Sequence, residues 1–346
     1  MDAVEHLILG AGPAGLRAAQ VLADAGREVL VLEKRDEIGP KTCAGGLTLK
    51  TMRELEPLGF PAESALRWVG HIGLAGRSPI ALDEDRAVVY TIPRQMLGQI
   101  QLRWTLAAGA EVRARAAVRS IDLGRRTVEV GGRPIRWRHL IGADGADSAV
   151  RRALALPSPR AYFAAEYNVP GVRLEPLRVE CDPARLANGY FWVFPHATYT
   201  SIGAVAPKRL VPPSALGRYL KGRLAALGVA HDGLRFEGAA LEVEYCGAHF
   251  PGGVHLAGDA AGAVSALTAE GIYGALITGE EVARWVLDPH YPAPKTTQWL
   301  RVKRRHDLLA RQLGTTIGRR AGFGFLGLLA RVPLSRRPLA AWFLSG

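Results

Sequence analysis

Three glycine-rich turns, far apart in the chain, hold the residues with the clearest chemistry. The first is Gly10-Ala11-Gly12-Pro13-Ala14-Gly15, directly after the apolar run Val4–Leu9. Such a turn needs glycine for three separate reasons: Gly10 to turn tightly, Gly12 to let a diphosphate reach the backbone, and Gly15 to let a helix lie close on the strand. Pro13 and Ala14 open that helix, whose free N–H groups make a positive end suited to an anion. Glu33 follows Gly15 by eighteen residues, at the end of the next strand, where a carboxylate accepts hydrogen bonds from a ribose. With strand, helix and acid in register, dinucleotide binding is favoured over a plain tight turn.

The second turn is Gly142-Ala143-Asp144-Gly145-Ala146-Asp147-Ser148-Ala149-Val150-Arg151-Arg152. Two readings stay open for it. Asp144 reaches the same ligand, or Asp147 or Ser148 merely caps a helix whose arginines are solvated. The third is Leu256-Ala257-Gly258-Asp259-Ala260-Ala261-Gly262, with Glu270-Gly271-Ile272 leading into another helix. A carboxylate held at a strand end by Gly258 and Gly262 can bind the hydroxyls of a ribityl or ribose chain; a capped turn is again the alternative.

The elements that must position these turns are legible from periodicity. Strands are expected at 4–9 and 28–32 around a small-residue helix at 14–25, a βαβ start. A helix is expected at 47–58, short strands at 69–74, 80–82 and 87–92, and a long helix from Pro93 to about Gly109. Several strands should fill 111–140, with a hairpin at Gly131-Gly132. Residues 161–207 read mostly as β and 213–227 as a helix. Strands near 239–246 and 254–257 precede helices at 269–287 and 295–314. The order β/α, β-rich, β/α predicts an α/β protein in which one Rossmann-like domain is interrupted by a sheet domain. The boundaries expected are 1–160 with 247–290 for the nucleotide domain, 161–246 for the β-rich domain (47–92 contributing to its side), and 291–346 for a basic helical region.

Composition narrows the class. The 346 residues are 48% hydrophobic and 22% charged, which fits an ordinary globular protein and excludes a disordered or fibrous one. No apolar run reaches the ~20 residues of a membrane span, and the chain enters its first motif too early to carry a leader, so a cytoplasmic protein is expected. Three cysteines, at 43, 181 and 246, exclude a disulfide framework and an all-thiolate zinc or iron–sulfur site, and no metal is expected. The net charge of +12 is concentrated at the end: from Arg301 onward there are ten Lys or Arg and a single acid, Asp307. No nucleic-acid docking motif accompanies it. The apolar run Gly322–Ala330 lies between Arg319-Arg320 and Arg331, with Trp342-Phe343-Leu344 beyond, and suits either peripheral contact with the anionic inner face of a membrane or a solvated helical cap on the nucleotide domain.

Together, the three turns resemble the flavoprotein superfamily of p-hydroxybenzoate hydroxylase. Two further stretches, Cys43-Ala44-Gly45-Gly46-Leu47 and Tyr190-Phe191-Trp192-Val193-Phe194-Pro195, are similar to elements of its geranylgeranyl reductases, as is Gly258–Gly262 followed by Glu270-Gly271-Ile272. The resemblance covers about residues 3–290. Ala266 and Ala269 stand where that family has proline and glycine. It implies tightly bound FAD, a prenyl lipid or pigment-tail substrate whose isolated C=C bonds are reduced, and NADPH or reduced ferredoxin as a transient electron donor. The resemblance also implies that Cys43, Ala44 and Gly46 lie at the flavin, that Arg94 is presented to it, that the backbone near Val118 meets the adenine, and that Gly271 and Ile272 complete the cofactor site.

Some of these assignments have reasons of their own. A cation such as Arg94 is unfavourable at a helix start unless an anion is near. Tyr190, Trp192 and Phe194 alternate along a strand and share one face, which suits either a prenyl slot or a packed core. Cys43 is a flavin-adjacent thiol or a buried filler, and Cys43 and Tyr190 are the candidates for a proton donor. Two other functions fit the same motifs. One is an FAD monooxygenase, although Gly262 and Ala266 replace the His and Pro of aromatic hydroxylases. The other is a flavin-bound redox or lipid-binding protein without turnover.

Overall fold

Strand β1 (Asp2–Leu9) ends where Gly10 breaks the extended run, and Pro13 starts α1 (Pro13–Asp24) at the position where its missing N–H is harmless. The computed structural model describes residues 2–74, 80–81, 88–158 and 161–329. β2 (Val29–Leu32) returns parallel to β1. Next come β3 (Gly46–Thr48), α2 (Leu49–Leu55), β4 (Leu66–Val69), β5 (His71–Leu74), β6 (Ile80–Ala81), β7 (Val88–Thr91) and α3 (Arg94–Ala107). β8 (Glu111–Arg113), β9 (Val118–Asp122) and β10 (Thr127–Val130) lead into β11 (Arg133–Gly142) through Gly131 and Gly132, both at positive φ as a two-residue hairpin requires. α4 (Ala149–Ala153) is followed by β12 (Ala161–Pro170), β13 (Arg178–Cys181), β14 (Tyr190–Pro195), β15 (Tyr199–Pro207), α5 (Pro213–Ala226) and β16 (Phe236–Glu242). The chain then forms β17 (His249–Phe250), β18 (Val254–Leu256), α6 (Ile272–Leu287), α7 (Pro294–Gly314) and α8 (Thr316–Leu329).

The first sheet has the order β17-β18-β11-β1-β2-β8, with the β9–β10 hairpin joined to β11. Its central pairs, from β18 to β8, are parallel. Helices α1, α3 and α6 pack together, and α1 and α6 cover one face through Ile8, Val31, Leu16, Leu22, Val282 and Ala283. This is the expected α/β layer. A second, mostly antiparallel sheet runs β16-β12-β15-β14-β13-β5-β6, with β5 parallel to β13. α5 covers one of its faces through Leu216, Leu220 and Leu224. A small third sheet joins β3, β7 and β4.

Several expected elements are corrected. Residues 46–48 are extended because they pair with β7, so the helix expected from 47 starts at Leu49. The strand expected over 69–74 is two strands in different sheets, broken at Gly70. The strand expected near 239–246 runs instead over Phe236–Glu242 beside β12. The helix expected at 269 starts at Ile272, because Ala269 adopts a left-handed φ of 51°. Residues 82–87 and 330–346, including Arg331 and Trp342-Phe343-Leu344, lie outside the described residues.

Four histidines cross four neighbouring strands on the first sheet. His6 stacks on His139 at 5.4 Å and His139 on His255 at 5.5 Å; His249 and His255 approach at 3.0 Å between Nδ1 atoms. Trp285 of α6 covers His249 at 3.9 Å. Burial pushes all four imidazoles below their ordinary pKa of 6.5, His249 to about 4 and His255 to about 3. Below pH 6.5 the unfolded chain therefore binds protons that the folded ladder refuses, so stability present above 6.5 is lost as pH falls toward 4. The melting temperature is expected to drop steadily from pH 7 to 4.5, with His255→Asn flattening that slope in scanning calorimetry.

Candidate functional site

Leu9, Gly142 and Leu256 pair in one row across β1, β11 and β18. The three glycine turns that follow them therefore open at the carboxyl edge of three adjacent parallel strands, where such sheets bind ligands. Gly10, at φ +100°, has no room for a side chain: a Cβ there would fall 2.4 Å from the Ala143 carbonyl oxygen. A Cβ on Gly15 would lie 1.9 Å from Gly10 O, so α1 touches its own turn. Gly12 differs, since nothing lies within 4 Å of the position its Cβ would take. Packing alone therefore does not demand glycine at 12, and the open space leaves its backbone accessible.

The acids stand around this turn. Glu33 Oε2 accepts the Ala11 N–H at 2.8 Å and Oε1 the Arg35 N–H at 3.0 Å, which places its carboxylate at the turn. Asp144 is half-buried, with Oδ2 accepting the Ala149 N–H at 2.6 Å and Oδ1 buried without a partner among the described residues. Burial pushes its carboxyl pKa up. Ser148 caps α4 by accepting the Arg151 N–H at 3.0 Å. Arg151 itself is not solvated: it is 2% exposed and donates to the carbonyls of Pro157, Ala260 and Glu244, binding the second turn to the third. Gly258 and Gly262 both have positive φ; a Cβ on Gly258 would meet Ala14 Cβ at 3.0 Å, and one on Gly262 would meet Glu244 O at 2.0 Å. Between them Asp259 is paired with Lys41 Nζ at 2.9 Å.

Beside the turns lies a cavity of about 720 Å³, within the range of small-molecule sites. Pro13, Cys43, Ala44, Gly46, Arg94, Asp259, Gly271 and Ile272 line it, and so do Tyr190, Trp192 and Phe194. The alternation expected of β14 is present: Phe191 and Val193 pack under α5, while the three aromatics face the cavity. Gly10, Gly12, Ala14, Gly15, Glu33, Asp144, Gly258 and Gly262 belong to the adjoining turns. Val118 lies apart from both, packing into the cluster under the β9–β10 hairpin; Ala116 N–H donates to Glu33 O at 2.8 Å and links that segment to the turn. Arg94 is 8% exposed, and its Nη1 has no partner among the described residues. A buried, unanswered guanidinium N–H at a helix start calls for an acceptor in the cavity.

Residues not singled out from the sequence hold the Cys43 loop. Glu166 on β12 accepts the Cys43 N–H at 2.8 Å and the Ser201 hydroxyl at 2.7 Å, and Ser201 in turn accepts Trp192 Nε1–H at 2.9 Å. His196 stacks on Tyr199 at 4.3 Å with Nε2 at 3.0 Å from Ala44 O, so its Nε2–H donates to that carbonyl. Burial lowers its pKa to about 4, which keeps it neutral. Tyr190 donates to Thr268 O at 2.6 Å, and burial pushes its phenol pKa up. Lys50 neutralises Glu270 at 2.8 Å. The only sequence signal for Glu166 is a lone acid within the apolar run Tyr162–Val169.

Residues 3–211 match the FAD binding domain family. Digeranylgeranylglycerophospholipid reductase 1 of Methanopyrus kandleri is 32% identical, over 79% of this chain and 77% of its own length. A reductase of the same name from Methanoculleus marisnigri is 30% identical over 80% and 75%. Among solved structures, a geranylgeranyl bacteriochlorophyll reductase-like protein from Thermoplasma acidophilum is similar with a TM-score of 0.75, at 21% identity over 91% of this chain and 88% of that one. A p-nitrophenol 4-monooxygenase from Pseudomonas putida also has a TM-score of 0.75, at 18% identity over 98% and 97%.

The first turn separates binding from packing. Gly12→Ala should leave the stability of the ligand-free protein within about 0.5 kcal/mol of the parent while cutting retained cofactor at least tenfold. Gly15→Ala, which must displace the Gly10 carbonyl, should cost roughly 1–3 kcal/mol. Denaturant unfolding and the ratio of bound chromophore to protein read the two effects separately.

Proposed function

The chain belongs to the FAD-binding flavoprotein family and, within it, to the geranylgeranyl reductases, and on that premise we propose that it saturates isolated C=C bonds of a prenyl lipid or pigment tail. One observation carries the reading: a single cavity joins the cofactor turns to a wall of Tyr190, Trp192 and Phe194. In this reading the Gly10–Gly15 turn and the start of α1 hold the diphosphate and Glu33 a ribose. The backbone near Val118 meets the adenine, and Asp144 and Asp259 bind hydroxyls, Asp259 between Gly258 and Gly262. Arg94, Cys43, Ala44, Gly46, Gly271 and Ile272 surround the ring. Bound FAD, once reduced, supplies the hydride.

The protein's own contribution is alignment and dryness. An isolated alkene has no carbonyl to polarise, so an oxyanion hole would have nothing to stabilise. Apolar walls fix the alkene and exclude water. The second carbon needs a proton. Tyr190 is a poor source, because its O–H is engaged by Thr268 O and burial holds its proton more tightly. Cys43, positioned through its own N–H by Glu166, is the better one. Electrons arrive from NADPH or reduced ferredoxin in a transient encounter.

Anaerobic mixing of the reduced protein with a geranylgeranyl lipid should restore oxidised-flavin absorbance, and each saturated bond should add two hydrogens by mass spectrometry. Failure of every prenyl lipid, with NADPH and O₂ giving a hydroxylated aromatic instead, would replace the reading with a monooxygenase. Cys43→Ala should keep FAD and slow alkene reduction roughly 10²-fold or more, whereas Tyr190→Phe should change the rate far less. Loss of flavin from Cys43→Ala would assign that thiol to structure.

A further inference from the structure

We infer that the outer face of α7 and α8 is a docking surface for an anionic lipid bilayer. α8 is seated on the end of α7 by two glycines: a Cβ on Gly318 would fall 2.1 Å from Gln312 O, and one on Gly322 would fall 2.4 Å from Leu313 Cδ2. That seating turns Phe323 inward, 7% exposed, and leaves Ile317 and Phe325 outward at 83% and 62%. Ile317, Ala321 and Phe325 stand at i, i+4 and i+8, so they form one stripe along the helix. On α7 the exposed positions include Arg301, Arg304, Arg305 and Arg311, with Leu308, 60% exposed, among them, beside the uncharged Thr297, Gln298 and Gln312.

The charge on this face selects the occupant. None of Arg301, Arg304, Arg305 and Arg320 has an ion-pair partner among the described residues. Only one acid, Asp307, occurs from residue 301 onward, and it pairs with Lys303 at 2.6 Å. An outward apolar stripe on α8 with Arg320 beside it, and three further unpaired guanidiniums exposed on α7, match helices lying in an anionic membrane interface, the apolar side chains below the phosphates and the arginines upon them. No helix among the described residues is long and apolar enough to cross a membrane.

The same pair of helices borders the cavity: Leu309, Leu313, Gly322, Phe323 and Phe325 contribute to its lining. Docking therefore sets the cavity against the hydrocarbon layer that holds a prenyl lipid. The surface stands on its own residues; only this purpose rests on the reductase reading.

The test uses the full, FAD-loaded chain and two kinds of vesicle, phosphatidylcholine alone and phosphatidylcholine with phosphatidylglycerol. The protein should sediment with the anionic vesicles, remain in solution with the neutral ones, and be released by high salt. Ile317→Ser with Phe325→Ser, and separately Arg304→Gln with Arg305→Gln and Arg320→Gln, should each lower the partition coefficient at least tenfold at unchanged melting temperature. Ile317→Asp alone, at a site outside the cavity lining, should lower it as well. Unchanged partitioning in these variants, or equal binding to neutral vesicles, overturns the proposal. Reduction of a prenyl lipid dispersed in detergent reads the substrate separately. Vesicle binding without reduction keeps the surface and removes that reading; reduction without vesicle binding removes the surface.

Discussion

Ala14 and Gly15 stand where segments from three parts of the chain come into contact with almost no side chain between them. A Cβ on Gly15 would meet Gly10 O at 1.9 Å, one on Gly279 of α6 would meet Ala14 O at 2.2 Å, and Gly258 faces the Ala14 methyl. A methyl group added at Gly15 or Gly279 would drive α1 off β1 or α6 off α1. The three turns would then no longer share an edge. Close backbone approach is thus the constraint on which the site depends, and it explains why glycine and alanine crowd these turns while the sheet beneath them is Leu, Ile and Val.

Around that contact, polar groups are divided by task. Arg151, Glu166 and His196 are spent on structure: the arginine binds turn to turn, and the acid and imidazole hold the Cys43 loop. Among the described residues Arg94 Nη1 and Asp144 Oδ1 have no partner, and neither has the second ring nitrogen of His196, Nδ1. Burying a donor or acceptor without a partner costs about 1–3 kcal/mol each, so a fold that keeps such groups beside an open cavity has reserved them for something that enters it. The guanidinium suits a carbonyl or phosphate, and the carboxylate suits a hydroxyl.

This division explains what could be read in advance. The glycine turns were legible because each is a local backbone requirement, visible as spacing within a few residues. The strand alternation of Tyr190, Trp192 and Phe194 was legible for the same reason. Glu166 was not, because its task is to receive an N–H from a loop 123 residues away. Lys41 was missed likewise, since nothing in its neighbourhood announces Asp259, 218 residues on. Helix starts failed where tertiary contacts overrode pattern: Gly46–Thr48 is drawn into a sheet by β7, and the left-handed Ala269 delays α6 until Ile272.

The fold alone does not choose a reaction, since a reductase-like protein and a monooxygenase superpose on it equally well by TM-score. The choice lies in how the cavity treats water and charge. Oxygen chemistry on a phenol benefits from a base that can take the ring proton, and the titratable groups nearest the Cys43 loop serve poorly: His196 is held neutral and donates to a backbone carbonyl, and Glu166 is committed to two donors. Alkene reduction asks for less polarity and more shape. A wall of Trp192, Phe194 and Tyr190, with one thiol at the turn below, matches that smaller demand.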